Sequence, residues 1–364
     1  MMKNFRLLIV FVCMCLLLGG CKKKEPIKEP KEEVKVPKQT FDQKPVDTHE
    51  GQVRSLLTGK WVDEAIAKKR PIAIMLSNVK IAVPQSGIEN ADVVYEAPVE
   101  GGITRLMGIF ENFQGLEKIG SVRSCRNYFI DFFMGFDAIY SHFGQAVYAV
   151  PVLDSEGVDN LNGLDNIGDT VYYRTSDRKS PHNAYTSAEK LEAGIEKMGF
   201  RRDYKEGYSG QFKFNSDDKK EIDIQGTDTK YVQPGYFINK PWFEYKQEDK
   251  LYYRNQYGGP QIDEATGKQL AYKNIILQYT PWEYYDKNGY LNINTNTGGK
   301  GKYITNGKAM DITWKKENQF DPTTFMDANG KELVINQGKT WVCVILDTYE
   351  ERINISNELI DYKD

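Results

Sequence analysis

Two arginines three residues apart carry the first chemical signal in this chain. Arg123 and Arg126 stand in the run Gly120-Ser-Val-Arg-Ser-Cys-Arg126, between an apolar stretch and an aromatic-rich one. A guanidinium is a planar, permanently charged fork that matches phosphate or carboxylate. A third arginine, Arg105, follows the pair Gly101-Gly102, with Glu96 and Glu100 just before it. A second dense run, 172–185, contains Arg174, Arg178, His182 and Asn183. His142 and His182 each adjoin a Gly- or Pro-marked turn. Such a pair could be a base and its orienter, two metal ligands or two hydrogen-bonded structural imidazoles. Together, Arg105, Arg123, Arg126, His142, His182 and Asn183 form a candidate anion site, with Glu100 orienting one arginine. The residues assign no catalytic group. The Ser-x-x-Lys matches at Ser77, Ser176 and Ser187 lack any Lys-Thr-Gly partner and are set aside.

These residues need a frame that brings them together. Residues 118–122 read as a buried strand, 127–134 as a helix and 138–142 as the next strand. Arg123 and Arg126 then lie where a strand ends and a helix begins, the edge at which open α/β sheets bind ligands. A helix N-terminus adds free N–H groups that favour an anion. Residues 61–69 suggest a short helix, and 72–76, 92–95 and 103–110 suggest strands. Thr186 with Glu189 fits a capping box for a helix that ends at Gly199. Further on, 212–214 and 221–224 resemble a hairpin about Asp217-Asp218. Residues 242–245, 251–253, 275–279, 310–314 and 341–346 read as strands joined by antiparallel turns. Gly298-Gly-Lys-Gly301 reads as a glycine hairpin, with an anion cradle as the alternative. The expected fold is α+β: an N-terminal mixed α/β domain over 65–205, a connection over 206–235 and a smaller, mainly antiparallel β domain over 236–355.

The start of the chain is an address. Lys3 and Arg6 precede an unbroken apolar run from Leu7 to Leu18, followed by small residues. This is the pattern of a secretory signal peptide over 1–20, too short for a comfortable membrane span. Leu18-Gly-Gly-Cys21 looks like a lipobox, which implies that Cys21 is acylated; a plain cleaved signal or an uncleaved anchor is the alternative. Residues 21–55, rich in Lys, Glu, Pro and Val, read as a disordered tether. A net charge of −3 argues against general nucleic-acid binding, which needs a basic face. Beyond Cys13, Cys15 and Cys21, only Cys125 and Cys343 remain. Two buried thiols are favoured over a disulfide, because spacing alone does not establish the geometry. No Cys-based zinc pattern and no His-Glu-x-x-His spacing is present, so no metal or cofactor is expected.

Several segments carry a family resemblance. They are Arg70-Pro-Ile-Ala-Ile-Met75, the run 85–96, Glu100-Gly-Gly-Ile-Thr-Arg105, Gly120–Arg126 and His142-Phe-Gly144, with Gly301-Lys-Tyr303, Asn306-Gly-Lys308, Ile312-Thr-Trp-Lys315 and Gly338-Lys-Thr-Trp341 further on. They resemble the YerB-like family of bacterial lipoproteins over nearly everything after the tether. The resemblance implies two family domains, a Gram-positive envelope setting and a lipid anchor, and brings no activity with it. A weaker similarity is to the LytR-CpsA-Psr family, which moves lipid-pyrophosphate-linked glycopolymers onto the wall and holds the pyrophosphate with arginines. Arg105, Arg123 and Arg126 would be the matching positions. That family's Ser-x-Pro-Arg-Asp carries an aspartate for magnesium, whereas Ser124 follows Arg123 here.

The expected function is a membrane-anchored binding or assembly factor at the outer face of the cytoplasmic membrane. It would hold an anionic wall precursor or envelope proteins, and no nucleic acid. One alternative is a phosphotransferase or hydrolase acting on a phosphate-linked envelope substrate, in which the arginines stabilise charge and magnesium enters. Another is a structural scaffold without a small ligand.

Overall fold

Apolar, β-branched runs bounded by Gly, Pro and Asn build the centre of the molecule, which a computed structural model describes over residues 49–362. One sheet contains β1 (Ile72–Ser77), β2 (Val93–Pro98), β3 (Thr104–Phe110), β4 (Ile139–His142), β5 (Asn160–Asn162), β6 (Thr227–Asp228), β7 (Asn274–Thr280), β8 (Gly299–Thr305), β9 (Lys308–Lys315), β10 (Thr324–Met326) and β11 (Thr340–Leu346). Its order is β6-β9-β8-β7-β11-β2-β3-β1-β4-β5, with β10 paired to β9. Neighbours run parallel within β7-β11-β2 and within β1-β4-β5. The remaining pairs are antiparallel.

Strands β1, β2, β3, β7 and β11 are buried at every position, as strands covered on both faces must be. Alternation sorts their side chains into two cores. Ala73, Met75, Tyr95, Ile109, Val342 and Val344 point one way, and Ile72, Ile74, Leu76, Val94, Leu106 and Trp341 the other. Helix α1 (Asn127–Met134) covers the first face with Tyr128, Phe129, Ile130, Phe132 and Phe133, all buried. Phe132 stacks on Tyr95, ring centroids 4.7 Å apart. Each such side chain contributes about 1.5–3 kcal/mol of burial. The second face is covered by α2 (Ala188–Met198), through Leu191 and Ile195, and by a second, antiparallel sheet, through Val232, Phe243 and Tyr252.

The fold is α+β, strand-rich with few helices and mixed sheets. The main sheet runs across the expected connection at 206–235. β11, from the C-terminal part, lies beside β2, with Trp341 opposite Val94 and Cys343 opposite Glu96. Without this pairing, β2 and β11 would each present an apolar strand with a bare hydrogen-bonding edge. The join is also ionic. Arg254, on the strand Leu251–Gln256, donates to Glu96 at 2.6 Å, and both side chains are 0% exposed. Its guanidinium lies between the rings of Phe243 and Trp341, 4.8 Å from each centroid. Cys125 and Cys343 are buried free thiols.

Several local expectations are corrected. Gln52–Arg54, assigned to the tether, is a strand paired with Trp61–Asp63; the His49 ring stacks on Trp61, and Arg54 pairs with Asp218. Only Glu64–Ala67 of the 61–69 segment is helical. Within 118–122, only Ile119–Gly120 is a strand. The cap of α2 is Ser187, which accepts from Lys190 N at 3.3 Å, while the Thr186 hydroxyl is taken by the Val171 carbonyl. Lys213–Phe214 pairs in parallel with Val334–Ile335 instead of forming a hairpin with 221–224, because Phe212, Ile224 and Ile335 share the first core. Of the run 298–301, expected as a glycine hairpin, Gly299–Gly301 is the first part of β8. The signal peptide over 1–20, the acylated Cys21 and the tether up to residue 48 lie outside the described residues.

Candidate functional site

The loop 121–126 carries two of the arginines and is stitched into the sheet through its backbone. Val122 N donates to Ala184 O, Arg123 N to Met75 O and Cys125 N to Gly144 O; Arg123 O in turn accepts from Phe143 N. Gly120 opens the loop at φ 151°. A Cβ there would stand 2.7 Å from Cδ1 of Tyr185 and 3.0 Å from the Ala184 carbonyl, so only glycine fits both the angle and the space. Arg126 is the N-cap residue of α1.

Three guanidinium groups meet at this loop, and a fourth, that of Arg174, stands near Arg123. Arg105 rises from β3, is 5% exposed and donates to the Ser124 carbonyl at 2.6 Å. Burial, then Arg126 and Arg123, pushes it down to about 9, so it remains a cation at neutral pH. Arg123 is half-buried, donates to Pro181 O at 3.3 Å and is lowered by burial, Arg126 and Arg174. Arg126 forms a two-pronged pair with Glu100, Nε to Oε1 at 2.7 Å and Nη2 to Oε2. That carboxylate holds Arg126 above its usual range despite burial. Arg174 stands 4.6 Å over the Phe143 ring and donates to Asn183 Oδ1 at 2.8 Å. Among the described residues, Glu100 is the one carboxylate in ion-pair contact with this cluster.

The expected residues thus divide. Arg105, Arg123, Arg126 and Glu100 come together. His182 joins them half-buried; burial, Arg123, Arg178 and Arg105 lower its pKa, and its buried Nδ1 has no partner among the described residues. His142 does not belong to the site. It is fully buried, with Nδ1 against Gly144 O at 2.9 Å and Nε2 against Asn160 Oδ1 at 3.2 Å. It is the structural imidazole of the three readings. Asn183 is 9% exposed, and its amide is committed to Thr175 O and Arg174, so it positions an arginine instead of meeting a ligand. Arg174 was not assigned to the site from the sequence. Its signal was membership of the same Arg- and Asn-rich run; the missing fact was that Phe143 lies under it.

Beyond Glu100 the surface falls into a cleft of about 460 Å³, walled by Phe237, Trp282, Tyr284 and Tyr349. The hairpin Trp282–Tyr284/Leu291–Ile293 separates cleft from arginines. Asp286 and Lys287 in its tip line the cleft. On the other side, Tyr290 lies under Arg126 at 5.9 Å, and Tyr285 accepts from Asn127 at 3.1 Å. No residue of this cleft except Glu100 was singled out as a site from the sequence, because aromatic β strands look alike whether they line a core or a cleft.

Comparison with known proteins agrees with this architecture. Residues 57–201 match the family described as "Protein of unknown function (DUF3048) N-terminal domain", and residues 230–342 match its C-terminal domain. The "Putative lipoprotein YerB" of Bacillus subtilis (strain 168) is 29% identical over 351 residues, 95% of this chain and 96% of the relative. The crystal structure of the YerB protein from Bacillus subtilis superposes with a TM-score of 0.73 at 29% identity, covering 84% of this chain and 100% of the other. Matched in both its N-terminal and its C-terminal parts, the chain belongs to the DUF3048 family.

Proposed function

We propose that this protein is a lipid-anchored lipoprotein of the outer face of the cytoplasmic membrane that binds an anionic, phosphate-bearing envelope component at the arginine cluster. The observation that carries the reading is the charge imbalance: Arg105, Arg123 and Arg126 converge, Arg174 stands near Arg123, and one carboxylate among the described residues, Glu100, meets them. Cations held this close repel one another, and the repulsion is relieved by an anion among them. Backbone bonds to β1 and to the turn at Gly144 hold the loop in place before any ligand arrives, so little ordering is needed on binding. The lipobox at Cys21 and the name of the Bacillus relative support the anchor.

The test is a thermal-shift and calorimetric titration with inorganic pyrophosphate, with and without magnesium, on wild type and Arg123→Ala. A ligand at 100 times its Kd stabilises the native state by about 2.7 kcal/mol, and Arg123→Ala should abolish most of that shift. No shift with any phosphate-bearing anion would remove the reading and leave a protein-interaction scaffold. Turnover lost with Arg123→Ala would instead establish the phosphotransferase alternative. The anchor is tested by Cys21→Ser, which should move the protein from the membrane fraction to the soluble one.

A further inference from the structure

The aromatic cleft is separate from the arginine cluster but shares Glu100 with it, and its chemistry is different. Tyr284 is 60% exposed and Phe237 37%, so costly aromatic surface faces water. The rings are nevertheless held in fixed poses. Trp282 Nε1 donates to Thr348 Oγ1 at 2.8 Å, Trp282 and Tyr284 meet edge to face at 5.0 Å, and Phe237 meets Tyr349 in the same way at 5.0 Å. Polar groups stand among these faces with no partner among the described residues. The hydroxyls of Tyr284 and Tyr349 make no described hydrogen bond, and the Lys287 ammonium at the rim makes no described ion pair.

We infer that this cleft binds a saccharide, with pyranose rings stacked on Trp282 and Tyr284. A pyranose has an apolar C–H face and a rim of hydroxyls. Rigid aromatic faces interleaved with unpartnered hydroxyls and an ammonium match both parts. An alkyl chain would leave the polar groups desolvated and unpaired. A proline-rich peptide, the other common guest of aromatic grooves, brings carbonyls for Lys287 but no N–H for Asp286, which lines the same cleft, whereas sugar hydroxyls both accept and donate. The volume of about 460 Å³ lies within the usual range for small-molecule sites and takes a short oligosaccharide. Because Glu100 lines the cleft and also pairs with Arg126, a saccharide bearing a phosphate would meet both sites; that extension rests on the anion reading above, whereas the saccharide cleft itself does not.

The experiment is isothermal titration calorimetry on the full chain in nanodiscs with chitotetraose, maltotetraose, inorganic phosphate and a proline decamer. Variants are Trp282→Ala, Tyr284→Ala (an exposed position, so the fold is retained) and Arg123→Ala. At least one tetrasaccharide should bind, at least tenfold more weakly to Tyr284→Ala and Trp282→Ala and equally well to Arg123→Ala. No tetrasaccharide binding at millimolar concentration overturns the inference, as does binding indifferent to both aromatic substitutions. Tighter binding of the proline decamer, lost with Tyr284→Ala, also overturns it in favour of a peptide. Phosphate binding lost with Arg123→Ala but not with Tyr284→Ala leaves the anion reading standing whatever the saccharides do, so the two fail separately.

Discussion

Removing the guanidinium of Arg254 should be among the most destabilising single changes in this protein. Glu96 is wholly buried and accepts from Arg254 at 2.6 Å, Thr104 at 2.8 Å, Asn239 at 2.8 Å and Asn78 at 3.3 Å. In Arg254→Met the side chain keeps comparable bulk between Phe243 and Trp341, so the loss is mainly electrostatic: a carboxylate is left in the interior with neutral donors only. Breaking a buried pair from one side costs about 3–5 kcal/mol, a large fraction of the about 5–15 kcal/mol that keeps a typical protein folded. The double variant Glu96→Gln/Arg254→Met removes both charges and keeps an acceptor for Thr104. It should recover at least about 2 kcal/mol, because replacing both partners of a buried pair is often neutral. The assay is urea unfolding followed by tryptophan fluorescence and far-ultraviolet dichroism. A loss below about 1 kcal/mol in Arg254→Met, or a double variant no more stable than the single one, would refute the reasoning that desolvated charge pairing joins β2 to the second sheet.

Three other outcomes are expected. Burial, with Asp92 adding to it and a Ser55 hydrogen bond opposing it, pushes Glu111 up from 4.5 to about 7. A raised acid is protonated in the folded state before the unfolded one, so stability falls as pH rises from about 4.5 to about 7 and then stays lowered. At about 1.4 kcal/mol per unit the loss is up to about 3 kcal/mol, and Glu111→Gln should abolish this part of the pH profile in denaturant titrations at pH 5 and 8. Gly120→Ala should cost about 1–3 kcal/mol through its strained angle and the contact with Tyr185, and should weaken phosphate binding by shifting Arg123; both are read from one titration set. Phe132→Ala should cost about 3–5 kcal/mol with phosphate affinity unchanged, since it empties the core under α1 without touching the arginines.

The legible parts of this chain were those whose cause lies within a few residues. Asn127–Met134 was readable as a helix because it is a dense apolar run closed by Gly135. β1, β3, β7 and β11 were readable because buried strands are apolar throughout. Arg123 and Arg126 must lie together, since three residues separate them. His142 was not legible in the same sense. A histidine before a glycine turn looks the same in a pocket as in a core, and its burial beside Asn160 is a property of the folded sheet. Arg254 left no local trace at all: in an aromatic, alternating strand it reads as a surface residue, and only the approach of Glu96 from the other half makes it a buried ion.

By itself, therefore, the sequence determined the α+β class, helix α1, the Arg-rich loop and the family resemblance, because propensity, apolar periodicity and motif spacing act over short stretches of chain. The tertiary structure decided which of those stretches meet. It placed β11 against β2 and so made one sheet of two sequence segments. It drew Arg105 and Arg174 to the loop, turned His142 inward and opened the aromatic cleft beside Glu100. Sheet register and burial are set by contacts between residues far apart in the chain, and no local pattern encodes them.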